Sequence, residues 1–155
     1  MAVTKTVLKA AENETVVKVQ GTAAAATIAL ATDILASTQV VDGATQKVNI
    51  AGISWTGAAN SQIQITRNSV VIATLIGETA AQFDFTGQGM VSDTTENTKD
   101  IVVTISGAQA ECWIRLKKVS GYKSKVEDGL YGSYDDPTRV GASTTKPGSP
   151  DYTPA

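Results

Sequence analysis

The stretch QKVNIAGISWTGAANSQIQITRNSVVIATLIG, residues 46–77, decides the fold. In its first part apolar and polar residues alternate through Val48 and Ile50, and the alternation resumes out of phase at Ile53. A period of two is typical of a β-strand that buries one face. The change of phase at Ala51-Gly52 predicts a β-bulge, because one extra residue in a strand shifts every later side chain to the other face.

A hairpin follows in the second part of this stretch. Ile63 and Ile65 alternate with polar residues, and Asn68-Ser69 separates them from the apolar run VVIATLIG. Two strand patterns joined by two turn-forming residues are a strong signal for a tight β-hairpin. The stretch therefore predicts consecutive antiparallel strands.

The remainder of the first 121 residues repeats the pattern in short segments. These segments are TVVKVQ (15–20), AAAATIAL (23–30), AQFDF (81–85), IVVTIS (101–106) and AECWIRLKKVS (110–120). We assign the alanine-rich segment to a strand rather than a helix, because β-branched Thr27 and Ile28 follow the alanines. The segment ATDILAST, residues 31–38, fits either one helical turn capped by Thr32 or Asp33 or a loop.

About eight strands with regularly spaced turns predict an all-β, antiparallel β-sandwich or jelly-roll-like body over residues 1–121. Two stacked sheets bury their facing sides, so the core falls to the apolar phase of each strand. The expected core residues are Val48, Ile50, Ile63, Ile65, Val71, Phe83, Phe85, Val102, Ile114 and Leu116. This pattern allows either Trp55 or Trp113 to point inward, and the alternation does not choose between them.

The composition argues against catalysis and against nucleic-acid binding. The chain has no histidine, so it lacks the commonest general base and the commonest metal ligand. Hydrolysis of a glycosidic bond would need two converging carboxylates, and no motif places such a pair. The net charge is −2 without a basic patch, whereas phosphate binding requires clustered Lys and Arg. We therefore expect a protein that is not an enzyme, has no cofactor and does not bind nucleic acid.

Membrane insertion and secretion are not expected either. No apolar run is long enough for a transmembrane helix, and the N-terminal MAVTKTVLKA lacks the apolar centre of a signal peptide. The single cysteine, Cys112, excludes an internal disulfide, and its place in the alternating ECWIRL predicts a small buried apolar residue. Synthesis in a cytoplasm follows from this pattern.

Residues 122–155 differ from the body, because they hold all four prolines and all four tyrosines of the chain. Proline prevents a segment from joining a sheet centrally, and tyrosine is enriched at protein interfaces. We predict an extended C-terminal arm that docks its rings on a neighbouring surface. The alternative is that the arm folds back and caps an edge of its own sandwich. The candidate interface residues are Tyr122, Leu130, Tyr131, Tyr134, Pro137 and Tyr152.

Two acidic segments contain the oxygen ligands that a hard cation prefers. One is Asp135-Asp136 before Pro137, and the other is the polar loop 93–97 together with Asp100, which also suits sugar binding. Neither has the spacing of a calcium-binding loop, so a solvated turn and a polar loop tip are the expected roles. No metal site is predicted.

Three segments resemble small virion structural proteins of tailed bacteriophages. They are TIALATDILASTQVVDGATQKVNIAGISWTG (27–57), QITRNSVVIATLIG (64–77) and DIVVTISGAQAECWIRLKKVSGY (100–122). The resemblance covers about residues 20–122 and consists of Thr- and Ala-rich strands, few charges and no histidine.

This resemblance implies a jelly-roll-like body bound to a repeating shell, an arm that reaches over neighbouring subunits, and no catalytic residue. It implies a capsid decoration (cement) protein that binds and stabilises the assembled shell. The implied partners are the major capsid protein or other virion proteins, with the chain present as a homo-oligomer or in repeated copies in the virion, after synthesis in the host cytoplasm. Two alternatives stay open. One is a neck or tail accessory protein. The other is a carbohydrate- or receptor-binding adhesin module in which an exposed Trp55 or Trp113 stacks on sugar rings.

Overall fold

The computed structural model describes residues 2–85 and 96–125 of the 155-residue chain. Within these ranges there is no helix, and hence no helix that is long and apolar enough to span a membrane. The described residues form eleven strands, namely β1 (Thr4–Ala10), β2 (Glu14–Gly21), β3 (Ala24–Ile28), β4 (Gln39–Val41), β5 (Lys47–Gly57), β6 (Ser61–Arg67), β7 (Val70–Ile76), β8 (Ala81–Asp84), β9 (Ile101–Gly107), β10 (Ala110–Ser120) and β11 (Tyr122–Ser124).

The strands form two main sheets in which every described pairing is antiparallel. The five-stranded sheet has the order β1-β2-β10-β5-β8, and the four-stranded sheet has the order β3-β9-β6-β7. A separate ribbon pairs β4 with β11. When the edge strand β1 is set aside, each sheet has four strands, and the chain crosses between the sheets after most of them. This is the strand order of a jelly roll, and it confirms the predicted all-β, jelly-roll-like sandwich.

The core lies between the two sheets and consists mainly of aliphatic side chains. Burial alternates residue by residue along β2, β6 and most of β10. The predicted core residues Val48, Ile50, Ile63, Ile65, Ile114 and Leu116 are all buried. They share the core with Val17, Val19, Ile28, Ile53, Ile72, Leu75, Ile101, Val103, Ile105 and Cys112. The burial of Cys112 confirms its predicted place as a small apolar residue.

The inward phase of β9 is opposite to the predicted one. Ile101, Val103 and Ile105 are buried, whereas Val102 lies on the outer side and is half-buried. Three consecutive apolar residues permit either phase, and the register with β6 decides it by pairing Ile105 with the inward-facing Ile63. The prediction of Val102 as a core residue is therefore wrong.

The same is true of Val71 and Phe83. Val71 is 50% exposed, because a register shift in β7 turns it outward and Ile72 is buried instead. Phe83 is 46% exposed, because β5 is the one strand that pairs with β8 among the described residues. Its ring contacts Trp55, with 5.0 Å between the ring centroids. Phe85 is half-buried and packs against the core near the same edge.

The predicted bulge and the predicted hairpin turn are both confirmed. Ile50 and Gly52 pair with consecutive residues of β10, so Ala51 is the extra residue of the bulge. Asn68 and Ser69 join β6 to β7 with φ values of 50° and 64°. Two consecutive positive φ values are what a two-residue type I′ turn requires.

Three strands lack a sequence pattern that would have predicted them. All side chains of β1 are exposed, so the alternation of burial that marks the central strands is missing. The paired strands β4 and β11 are too short to show a period. Residues 31–38 contain turns and no helix, and Asp33 Oδ2 accepts from the N–H of the preceding Ala29 at 2.6 Å. The loop alternative for this segment is therefore correct.

Candidate functional site on the outer sheet faces

The outer side of the four-stranded sheet has no charged side chain on its described strands. Residues paired across antiparallel strands share a face, and the buried residues of each strand identify its inward phase. The outward set, here called the uncharged face, consists of Ala25, Thr27, Gln62, Gln64, Thr66, Val71, Thr74, Ile76, Val102, Thr104 and Ser106. This surface offers hydroxyl, amide and small apolar groups to a partner, without the large desolvation cost of charged groups.

The outer side of the five-stranded sheet, here called the charged face, is different. Its charged residues are Lys9, Glu14, Lys18, Lys47, Asp84, Glu111, Arg115 and Lys117. Lys18 Nζ lies 3.2 Å from Glu111 Oε2. Arg115 lies 2.8 Å from the Asp84 carboxylate and 3.4 Å from that of Glu14. Because these pairs are partly exposed to water, each contributes little to folding stability.

A groove runs along β5 on the charged face and is here called the β5 groove. Its floor consists of the small outward residues Gly52, Ser54 and Thr56, and larger side chains of β10 and β8 stand on either side. Trp113 pairs with Ser54 across one side, and Gln82 pairs with Ser54 across the other. Two adjoining hollows, with volumes of about 190 and 470 Å³, are both lined by Ser54, Gln82 and Trp113.

Trp113 forms one wall of the β5 groove and is half-buried. On the β2 side, Lys18 Nζ lies over its ring, 5.4 Å from the ring centroid, in a cation–π contact. The other side of Trp113 borders the groove, beside hydroxyl and amide groups. Trp55, in contrast, points inward and is 7% exposed, and its Nε1 donates to the Ile76 carbonyl at 3.0 Å.

Arg115 occupies one end of the β5 groove. Its Nη2 donates to Asp84 Oδ1 at 2.8 Å and to the Ala51 carbonyl at 3.2 Å. A Cβ on Gly52 would lie only 3.3 Å from the same nitrogen, so the glycine lets the guanidinium lie close to the sheet. This end of the groove therefore has the Arg115 guanidinium and the Asp84 carboxylate as an ion pair.

Arg67 lies on the inward phase of β6, where it follows Ile63 and Ile65, and it is fully buried. Its Nε donates to the Lys99 carbonyl and its Nη1 to the Val48 carbonyl, each at 2.8 Å. These bonds tie β6 to β5 and to the segment before β9. The composition gives no sign of this buried cation, but the period-two phase of β6 does.

Lys118 similarly lies on the inward phase of β10 and is 9% exposed. Its Nζ donates to the Ala11 carbonyl at 2.8 Å and also to Gln39 Oε1. Burial lowers the pKa of Lys118 to about 8, and the nearby Glu12 carboxylate opposes this shift. The lysine therefore stabilises a junction of three chain segments while its own charged form is disfavoured.

Tyr122, the first of the candidate interface residues, lies in β11 against its own body. Its hydroxyl donates to the Leu30 carbonyl at 2.8 Å, and Lys118 Nζ lies 5.2 Å from its ring centroid. Burial raises the pKa of the Tyr122 phenol, while the Arg67 charge opposes this shift and the Asp100 charge adds to it. The folded body thus includes β11, which lies beyond the predicted boundary at residue 121.

The remaining candidate interface residues lie outside the described residues. They are Leu130, Tyr131, Tyr134, Pro137 and Tyr152. The acidic pair Asp135-Asp136 and residues 93–95 of the polar loop lie outside as well. The docking role of the C-terminal segment, including any contact of Tyr122 with a partner, stays a prediction.

Asp100, Asn97 and Cys112 all make contacts within the folded body. Asp100 Oδ1 accepts from the Leu30 N–H at 2.9 Å, and Asn97 Nδ2 donates to Asn49 Oδ1 at 3.0 Å. Burial raises the pKa of the Cys112 thiol to about 12. Within residues 2–85 and 96–125, no group of three or more His, Cys, Asp or Glu side chains is placed to hold a metal ion.

Comparisons with solved structures include two proteins of similar fold. No protein-family model and no curated protein matches the sequence. The fold is similar to an uncharacterized conserved protein with a double-stranded beta-helix domain from Klebsiella pneumoniae, at 10% identity over 79% of this chain and 84% of that one, with a TM-score of 0.34. It is also similar to a cupin superfamily protein from Desulfitobacterium hafniense, at 8% identity over 76% of this chain and 78% of that one, with a TM-score of 0.31. These likenesses carry no argument about function, and the jelly roll rests on the strand order given above.

Proposed function

We propose that this chain is a non-enzymatic structural protein of a tailed-phage particle, namely a decoration protein that binds the assembled shell and stabilises it. The observation that carries the proposal is that the described residues of the uncharged face include no charged side chain. The resemblance of about residues 20–122 to small virion proteins supplies the kind of partner.

The uncharged face suits contact with another protein. The cores of protein interfaces are depleted in charged residues, because an unpaired buried charge loses its hydration. Gln64 and Thr104 pair across β6 and β9 at the centre of this face. Their amide and hydroxyl groups both donate and accept hydrogen bonds, so a partner can satisfy them after water is removed.

The charged face suits solvent. Its ion pairs form within the face itself and remain partly exposed to water. They join Lys18 to Glu111, and Arg115 to both Asp84 and Glu14. No charged partner on a shell is needed to balance them. The proposed orientation therefore places the uncharged face on the shell and the charged face outward.

Binding of this kind stabilises a shell by mass action, because a ligand that binds only the assembled form shifts the equilibrium toward it. Many copies on a repeating surface strengthen the effect. The proposed C-terminal arm adds contact area, and ordering it costs about 1–2 kcal/mol per residue in backbone entropy. The apolar and aromatic residues Leu130, Tyr131 and Tyr134 are the proposed contacts that offset this cost.

A matched pair of glutamine substitutions tests the proposal. Gln64 on the uncharged face and Gln20 on the charged face are both half-buried and point outward. We expect Gln64→Lys to weaken shell binding by about tenfold or more, because docking would bury an unpaired ammonium group. Gln20→Lys is expected to change binding by less than about twofold, since that side chain stays in water.

The measurement is co-sedimentation of the purified full-length variants with undecorated shells of the phage that encodes the chain. Equal binding by both variants would contradict the assignment of the uncharged face. A gene that lies outside any set of phage structural genes would contradict the proposal as a whole. A truncation after Lys125 separately tests the arm, and we expect it to weaken attachment while the two-sheet body stays folded.

A further inference from the structure

We propose that the β5 groove is a binding site for a neutral saccharide, with Trp113 as the surface on which a sugar ring stacks. This inference goes beyond shell binding, because it concerns a small ligand and the opposite side of the jelly roll. Its failure would leave the assignment of the uncharged face untouched.

Trp113 has the exposure and the support that stacking requires. It is half-buried at the middle of the charged face, so its position is held while part of the ring remains accessible. Lys18 covers the ring from the β2 side, and the register places Ser54 on the β5 side. A sugar ring presents a flat face of C–H groups, which suits an aromatic wall of this kind.

Polar groups surround the aromatic wall at the places where sugar hydroxyls would lie. The Ser54 hydroxyl is on the floor of the groove, and the Gln82 amide lies across the floor from Trp113. Ser54 and Gln82 each offer both donors and acceptors, which is what a hydroxyl group needs. The Asp84 carboxylate and the Arg115 guanidinium at the end of the groove can accept from and donate to the same ligand.

The small residues of β5 make the groove possible. Gly52, Ser54 and Thr56 are the outward residues of this strand, whereas β10 carries Trp113 and Arg115 at the neighbouring positions. A larger side chain at position 54 would fill the space that the two hollows share. The groove therefore exists because the outward residues of β5 are small, and the jelly-roll fold alone would not produce it.

Other classes of ligand fit this groove less well. An extended peptide cannot add to β5 as a strand, because β5 already pairs with β10 and β8 on its two sides. A phosphate group needs a concentration of positive charge, whereas Lys18 is paired with Glu111 and Arg115 with Asp84. A ligand with many hydroxyl groups and no charge uses the aromatic wall and the polar groups together.

The test begins with a glycan array of neutral and acidic oligosaccharides, probed with labelled full-length protein. The strongest neutral binder is then titrated calorimetrically against the unmodified protein and its variants. We expect Trp113→Ala to weaken binding by about tenfold or more, since a tryptophan that anchors a ligand dominates its affinity. Trp113→Phe should retain part of the affinity, because it keeps a smaller aromatic surface.

A second variant tests the groove without removing the tryptophan. Ser54→Tyr fills the floor and adds a residue that β-strands tolerate well, so loss of binding with an unchanged melting temperature would support the site. Thr104→Ala, on the opposite side of the molecule, is the control and should leave saccharide binding unchanged. An array without a hit, a hit confined to acidic glycans, or binding that survives both Trp113→Ala and Ser54→Tyr would each overturn the proposal.

Discussion

The two sheets of this jelly roll are alike on their inner sides and different on their outer sides. Ile63 in the four-stranded sheet and Ile114 in the five-stranded sheet are both fully buried among aliphatic neighbours. Outside, the described strands of the four-stranded sheet have no charged side chain, whereas those of the five-stranded sheet have paired charges and Trp113. Close packing constrains the inner residues, whereas water tolerates many side chains on the outer faces. The contrast between the outer faces is therefore not required by folding, and this is why both binding proposals lie there.

The largest change in stability is expected when one buried isoleucine on the inner side of each sheet is replaced by alanine. Ile63→Ala and Ile114→Ala should each lower the free energy of unfolding by about 2–5 kcal/mol, because each removes a fully buried side chain and leaves a cavity. The measurement is equilibrium unfolding in urea. Thr104→Ala on the uncharged face is the control and should change stability by about 0.5 kcal/mol or less. A loss below about 1 kcal/mol for either isoleucine would show that its sheet does not share the common core.

The central strands could be predicted from the sequence because they combine a period of two with specific turn residues. The phase change before Ile53 identified the bulge at Ala51, and Asn68-Ser69 identified the hairpin turn. The phase of residues 101–105 could not be decided locally, since consecutive apolar residues fit either face. Only the register with β6, which is a long-range contact, places Val103 inward.

The candidate sites could be predicted only in part, for the same reason. The need for one exposed tryptophan was clear, but the groove beside Trp113 depends on the pairing of β10, β5 and β8. The inward cations Arg67 and Lys118 continue the buried phase of their strands, so an alternation rule applied without regard to charge would have found them. The place of Tyr122 rests on its bond to Leu30, far away in the sequence, which no local pattern encodes.

An intermediate change in the free energy of unfolding is expected when the pH is varied, because the buried Lys118 on the inward phase of β10 titrates. The pKa of Lys118 is lowered to about 8 in the folded protein from an ordinary value of 10.5. Between these values the unfolded chain binds more protons than the folded one, so stability rises with pH. The rise from this group should be about 1 kcal/mol between pH 8 and pH 9. Urea unfolding at closely spaced pH values measures it.

Two adjacent lysines supply the comparison for this prediction. Lys118→Met should abolish the rise between pH 8 and pH 9, whereas Lys117→Met, on the charged face, should preserve it. The window ends near pH 9, because the raised pKa of the Cys112 thiol makes stability fall with pH above its ordinary value of 9.0. A rise that persists in Lys118→Met would assign the effect to another group.

The smallest effect is expected on the charged face itself. Arg115→Gln removes the ion pairs with Asp84 and Glu14, which are partly exposed, so the free energy of unfolding should fall by less than about 1 kcal/mol. The loss should shrink further when salt screens the charges. Urea unfolding at low and high ionic strength measures both quantities. A loss above about 2 kcal/mol that salt does not reduce would mean that folding requires these charges. The difference between the two outer faces would then reflect the stability of the five-stranded sheet rather than the ligands that each face binds.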